Sequence, residues 1–161
     1  MSESLRTKFM RWTLNLFPAF RRTGGRATYF SDDMKQARVE IPLNWKTRNY
    51  VGTIYGGSIY GAVDPFYMLM FIKLLGPDYI VWDKAAVIRF KRPGRTTLTA
   101  EFHVDDEELN FIRSELEQKE KIDRVYMVEL RDRDDTVCAT VEKTIHFRKK
   151  QQEVPLAGSN L

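Results

Sequence analysis

The sequence predicts a single-domain α+β fold in which a curved antiparallel sheet wraps around one long central helix. Three observations carry that reading. The run Asn49 to Phe71, NYVGTIYGGSIYGAVDPFYMLMF, contains one charged residue, and the chain stays helix-compatible from about Gly57 to Leu75. Several other segments alternate apolar and polar residues with the period of a half-buried strand. The 161 residues, 43% apolar and 12% aromatic, suffice for one moderate core and exclude a disordered chain. No repeat or linker divides them, so residues 1–161 form one domain.

The elements follow in order. Leu5, Phe9, Trp12 and Leu16 recur at intervals of four, three and four, one face of an amphipathic helix ending near Pro18. This N-terminal segment, residues 1–23, is expected to pack that face on its own domain and to turn its basic face outward. Gly24-Gly25 breaks the chain. Val39, Ile41 and Leu43 alternate with charged neighbours as a strand, stopped by the turn around Pro42 to Asn44. In the central helix Pro65 opposes the carbonyl of Gly61 and should kink the run. A simpler alternative makes Asp64 only the N-cap of a helix that begins at Pro65.

After Gly76-Pro77 the alternation returns. Ala86, Ile88 and Phe90, then Leu98, Ala100, Phe102 and Val104 beyond the Pro93-Gly94 turn, read as two strands and are expected to be antiparallel neighbours. Asp105 to Glu108 put negative charge at the start of a surface helix carrying Leu109, Ile112 and Leu116 on one face. Tyr126, Val128 and Leu130, and after an Asp132 to Asp135 turn Val137, Ala139, Val141, Ile145 and Phe147, give the last two strands. Residues 151–161 are expected to be a frayed tail.

Charge and composition remove several function classes. The net charge of +4, from 26 basic and 22 acidic residues, is a modest excess with no nucleic-acid-binding motif beside it. A lone cysteine, Cys138, supports no internal disulfide and no cysteine metal cluster, and suits a reducing cytoplasm. With only His103 and His146 there is little material for a histidine triad, and no metal site is expected. Interruptions by Gly, Pro and Asp argue against a membrane span in the uncharged run, and the N-terminus lacks the apolar region of a signal peptide.

The chemistry centres on Asp64. An ionised carboxylate in apolar surroundings is costly unless partners hold it, so its presence needs a reason. Gly56 and Gly57 open the same run, and a helix starting there exposes backbone N–H groups suited to a developing oxyanion. A carboxylate base or nucleophile near such donors reads as hydrolysis at a carbonyl.

The spacing Asn49, Gly52-Thr53, Gly56-Gly57-Ser58 and Asp64 resembles the N-x-x-G-T-x-H-G-G pattern, followed by an acid, of hotdog-fold thioesterases of the PaaI kind. RFKRPGRTTLTAEF resembles their strand-turn-strand segment, and VWDKAAVIRFKRPG is most similar to the DUF4442 branch. The resemblance spans roughly Ala37 to Lys149. It implies a hotdog fold, dimerisation or a dimer of dimers, and a cleft in which Asp64 of one subunit faces Gly56 of another. It further implies Asp64 as general base or nucleophile, the Gly56 N–H at the thioester oxygen and Asn49 as an orienting group, with no cofactor beyond the coenzyme A of an acyl thioester substrate. Tyr55, Gly57 and Ser58 would line the substrate.

One position departs from the pattern: Tyr55 stands where those enzymes carry histidine, and a phenol replaces only part of an imidazole's hydrogen bonding. A non-catalytic acyl-CoA or fatty-acyl binder using the same cleft is therefore the alternative. Asp83 lies ten residues before Pro93, where the family often carries a small polar residue at the same site. As a second carboxylate near Asp64 it would raise one of the two pKa values; as a plain structural residue it would pair with Lys84. Arg92 and Arg95, with Arg89 and Lys91 nearby, are candidates for the phosphates of coenzyme A.

Overall fold

The computed structural model describes residues 3–150. The elements are α1 (Leu5–Leu16), α2 (Pro18–Thr23), β1 (Arg26–Phe30), β2 (Gln36–Ile41), α3 (Gly56–Val63), α4 (Pro65–Leu75), β3 (Tyr79–Phe90), β4 (Leu98–His103), α5 (Asp106–Gln118), β5 (Lys121–Arg131) and β6 (Val137–Lys149). All six strands form one antiparallel sheet in the order β1-β2-β4-β5-β6-β3. The expected tail lies outside the described residues.

The sheet curls around α3 and α4, as the alternation dictates. Ala37, Val39 and Ile41 of β2, Leu98, Ala100 and Phe102 of β4, and Ala139, Val141, Ile145 and Phe147 of β6 share one core with Ala62, Val63, Phe66, Met70 and Phe71 of the helices. Phe66 sits at the centre, its ring 4.6 Å from that of Phe102 and 5.7 Å from that of Phe30. Burying such a side chain stabilises the fold by roughly 1.5–3 kcal/mol. α5 begins as its sequence predicts, with Asp105 accepting from the Glu108 amide at 2.8 Å, and it buries Leu109, Ile112 and Leu116. This is the expected α+β hotdog architecture.

Three expectations need correction. Leu5, Phe9, Trp12 and Leu16 do not pack on the domain; they are exposed, and α1 instead packs through Thr7, Met10 and Leu14. The helix carries apolar residues on two faces, and the one held inward is that of Asn15, whose side chain exchanges two hydrogen bonds with the backbone of Ala27 in β1 (2.8 and 2.9 Å). The strands over Ala86–Phe90 and Leu98–Val104 are not neighbours: β3 pairs only with β6, while β4 lies between β2 and β5. The Ala86, Ile88, Phe90 series of β3 is largely open as well, with Ala86 and Phe90 exposed on this half of an edge strand. β1, a short strand between Gly25 and a polar turn, adds an edge that alternation alone does not reveal.

Candidate functional site

Asp64 occupies the junction of α3 and α4 in helical conformation (φ −51°, ψ −50°), so the run from Gly56 to Leu75 continues through it. Although α4 begins at Pro65, the Asp64 side chain makes no capping hydrogen bond. It turns to the sheet instead. Its Oδ1 accepts from the Tyr60 hydroxyl at 2.8 Å and from the Lys143 ammonium at 2.7 Å, and the ammonium also reaches the Asp64 carbonyl at 3.0 Å. Oδ2 has no hydrogen-bond partner among the described residues, and the side chain is 44% exposed.

Lys143 is the residue that sequence reading missed. It projects from β6 with no side-chain exposure and stands 2.9 Å from Asp83 Oδ1 on β3 as well. The Asp83 contact is not aligned as a hydrogen bond, so that oxygen is held by charge alone. A register shift between Asp83 and Ala85 sets the local geometry of β3 here, the kind of bulge that re-aims a side chain. Lys84, the alternative partner for Asp83, pairs with Asp123 on the other side. The signal for Lys143 was present in the sequence. Ala139, Val141, Ile145 and Phe147 are one alternating inward series, and residue 143 falls within it.

Burial disfavours the Lys143 ammonium, but the hydrogen bond to Asp64 and the charges of Asp64 and Asp83 outweigh it and hold the pKa above the usual lysine value. Burial pushes the Asp83 carboxyl up, Lys143 opposes that, and repulsion from Asp64 adds to it. The Tyr60 phenol is raised by burial and by donating to Asp64. Two carboxylates thus share one buried ammonium, and Asp64 is the more open of the two, its side chain 44% exposed against 20% for Asp83.

The N-terminal end of α3 is built differently. Tyr55 precedes the helix in extended conformation, its amide bound to the Thr47 carbonyl at 2.7 Å and its ring 59% exposed. That ring lies over Gly57, where a Cβ would come within 2.4 Å of it. Gly56 is the first residue of α3, and a Cβ there would meet the Phe90 ring of β3 at 2.8 Å. Ser58 is buried. The Asn49 side chain organises its own loop: Nδ2 donates to Thr53 Oγ1 and Oδ1 accepts from the amides of Val51 and Thr53 (2.9–3.1 Å). The Ile54 amide donates to the Gly94 carbonyl at 2.9 Å, which brings the turn bearing the exposed Arg92 and Arg95 beside this helix end.

Eight residues separate Gly56 from Asp64, about 12 Å along a helix. Within one chain the N–H donors and the carboxylate do not converge. His146 is set apart from both, on the opposite face of β6, stacked on Trp82 with Nδ1 2.6 Å from Asp123 Oδ1. Among the described residues no group of three His, Cys, Asp or Glu side chains gathers to hold a metal. The central helix, Gly56–Leu75, is the one described helix long and apolar enough to span a membrane, and half of that stretch is packed inside the fold.

Comparison with known proteins bears on this arrangement. The model of a family described as "Domain of unknown function (DUF4442)" matches residues 6–147. Among curated proteins none matches the chain. A Pseudomonas aeruginosa protein of unknown function is similar in structure, with a TM-score of 0.79 at 20% identity, covering 92% of this chain and 99% of its own. A Haemophilus influenzae thioesterase has a TM-score of 0.66 at 14% identity, covering 96% of each chain. A variant of a Pseudomonas aeruginosa thioesterase has a TM-score of 0.65 at 13% identity, covering 93% of this chain and 97% of its own. Identities this low establish the fold.

Proposed function

The chain belongs to the DUF4442 family, and from that premise we propose that it hydrolyses an acyl thioester, acyl-coenzyme A or a related carrier thioester, with Asp64 as general base or nucleophile. The observation that carries this reading is the half-exposed carboxylate in the middle of an apolar helix, with Oδ1 tied to Tyr60 and Lys143 and Oδ2 open. Thioesterases of the same fold support it.

Asp64 Oδ2 takes a proton from a water that attacks the thioester carbonyl, or attacks that carbonyl itself to give an anhydride that water then opens. The carbonyl oxygen becomes an oxyanion held by the Gly56 N–H at the start of α3. The carbon–sulfur bond breaks and the thiolate leaves, taking up the proton that Asp64 accepted or, on the anhydride route, the one released when water opens the anhydride. Lys143 holds the Asp64 side chain in place against an apolar setting through its contact with Oδ1. Because Gly56 and Asp64 of one chain stand about 12 Å apart along the helix, the donor comes from a second copy. The unpaired outer edge of β3, with Val87 and Phe90 exposed, is the surface proposed to join the copies. Exposed Arg92 and Arg95 beside the α3 N-terminus would meet the phosphates of the carrier.

Tyr55 in place of histidine favours a second reading, a non-catalytic acyl-thioester binder. A panel of acyl-CoA esters assayed for free thiol, with equilibrium binding measured in parallel, separates the two. The hydrolase reading expects thiol release on at least one ester; tight binding with no release across the panel would replace it by the binder.

A further inference from the structure

We propose that the groove between the two N-terminal helices and the central helix is the acyl-chain subsite, and that the chain it takes is a long, unbranched hydrocarbon. This rests on the reading of Asp64 given above and extends it to substrate class. The groove encloses about 590 Å³ and is walled by Met10, Leu14, Phe17 and Phe20 on one side and Met68 and Leu69 on the other, with Asp64 part of the same wall. That volume is of small-molecule size, too little for a protein helix.

Its polar inventory is nearly empty. Thr13 and Thr23 line it, but the Thr13 hydroxyl donates to the Met10 carbonyl at 2.8 Å. The Thr23 hydroxyl likewise donates to the Phe20 carbonyl at 2.7 Å and accepts from the Gly25 amide at 3.1 Å. Both hydroxyls are therefore committed to backbone and add little polarity to the wall. The ionisable residues left are Asp64 and, nine residues further along the helix, Lys73. That interval is about 14 Å. A ligand with its polar end at Asp64 thus meets only hydrocarbon over most of that length.

Met10, Leu14, Met68 and Leu69 are only half-buried, so a seated chain completes their burial, and the two methionines adapt to its shape.

The test is equilibrium binding of non-hydrolysable thioether analogues of butyryl-, octanoyl- and dodecanoyl-coenzyme A to the full chain, to Met68→Trp and to Met10→Trp. Folding of each variant is checked by circular dichroism and thermal melting. Wild type should bind the dodecanoyl analogue about tenfold or more tighter than the butyryl one, since each buried methylene adds to affinity. Either substitution fills the groove from its own wall and should erase that gain while leaving the butyryl analogue within about twofold. Equal affinity across chain lengths, no measurable binding of the dodecanoyl analogue, or an unchanged dodecanoyl gain in folded variants would overturn the proposal. If neither variant folds, competition between dodecanoate and octanoate for the wild type decides, with equal affinities counting against the groove. Because the analogues cannot turn over, chain-length-dependent binding without thiol release from the true esters would uphold the groove and remove the hydrolase.

Discussion

Asp64 and Gly56 lie on one helical run about two turns apart, and they stand in opposite conditions. Around Asp64 the chain supplies everything: a phenol, a buried ammonium and a second carboxylate, drawn from α3, β6 and β3. Around Gly56 it supplies a bare helix end, an exposed tyrosine ring and a basic turn, with no acidic residue in the first turn of the helix. On the proposed reading, the difference separates what folding completes from what assembly would complete. The charged centre is costly to build and is finished inside each chain. The N-terminal end of α3, the proposed oxyanion site, carries no side-chain cap, and the Tyr55 before it is exposed.

The largest effect should come from breaking the completed half. Lys143→Met strands two carboxylates against an apolar wall, and removing one partner of a buried pair costs about 3–5 kcal/mol. The half-exposed Asp64 places this case at the lower end of that range. Urea unfolding measures it, and the triple variant with Asp64→Asn and Asp83→Asn should recover most of the loss; a change within about 0.5 kcal/mol, the size of an ordinary surface substitution, would mean that the ammonium does not hold the site.

The pH dependence follows from the direction of the shifts. The Lys143 pKa is raised, so its stabilisation is full below the ordinary lysine value of 10.5 and is lost as pH climbs through the raised one. The Asp83 pKa is also raised, so its contribution favours the fold below the ordinary 3.8 and is lost as pH rises through its raised value. Melting temperature should therefore drop on the alkaline side in wild type and much less in Lys143→Met.

A second intervention falls on the open half. Wild type should sediment as a dimer or dimer of dimers, and Val87→Lys on the β3 edge should shift it toward monomer with a matching loss of turnover. A wild-type monomer with full activity would remove the second copy from the site. The smallest effect belongs to Tyr55→His. With the Gly56 N–H and Asp64 both retained, thioester turnover should hold or rise by about tenfold or less, below the ~10²-fold scale of a true acid–base group. If Tyr55 only shapes a binding pocket, ligand affinity falls and no turnover arises.

How much of this was legible follows the same division between local and distant. The central helix could be read because one charge interrupts an apolar run bounded by Gly56-Gly57 and Gly76. Asp64 stood out for the same reason. The inward faces of β2, β4 and β6 follow from alternation, which is local. Strand order does not. That β3 pairs with β6 rather than with β4 depends on contacts between residues such as Asp83 and Ile145, far apart in sequence. The face of α1 was ambiguous because Met10 and Leu14 compete with Phe9 and Trp12, and the choice is made by Asn15 bonding to β1. Lys143 was readable in principle, as a lysine on the buried side of an alternating strand. Its partners Asp64 and Asp83 lie 79 and 60 positions earlier, and only the fold brings them together.

The central claim, that each site joins Asp64 of one chain to the Gly56 N–H of another, is tested most directly by complementation. Asp64→Asn removes the carboxylate, with an expected loss of ~10²-fold or more. Gly56→Pro removes the N–H at the first position of α3, where the backbone and the extended Tyr55 before it suit proline; its Cβ displaces the exposed Phe90 ring, 2.8 Å away, and Gly56→Ala, which keeps the N–H, controls for that displacement. Each variant alone should be inactive. In a co-purified mixed dimer one site carries both defects and the other carries neither, so activity should return to about half the wild-type value per dimer. A mixed dimer as inactive as its parents would place both groups in one chain and contradict the shared site.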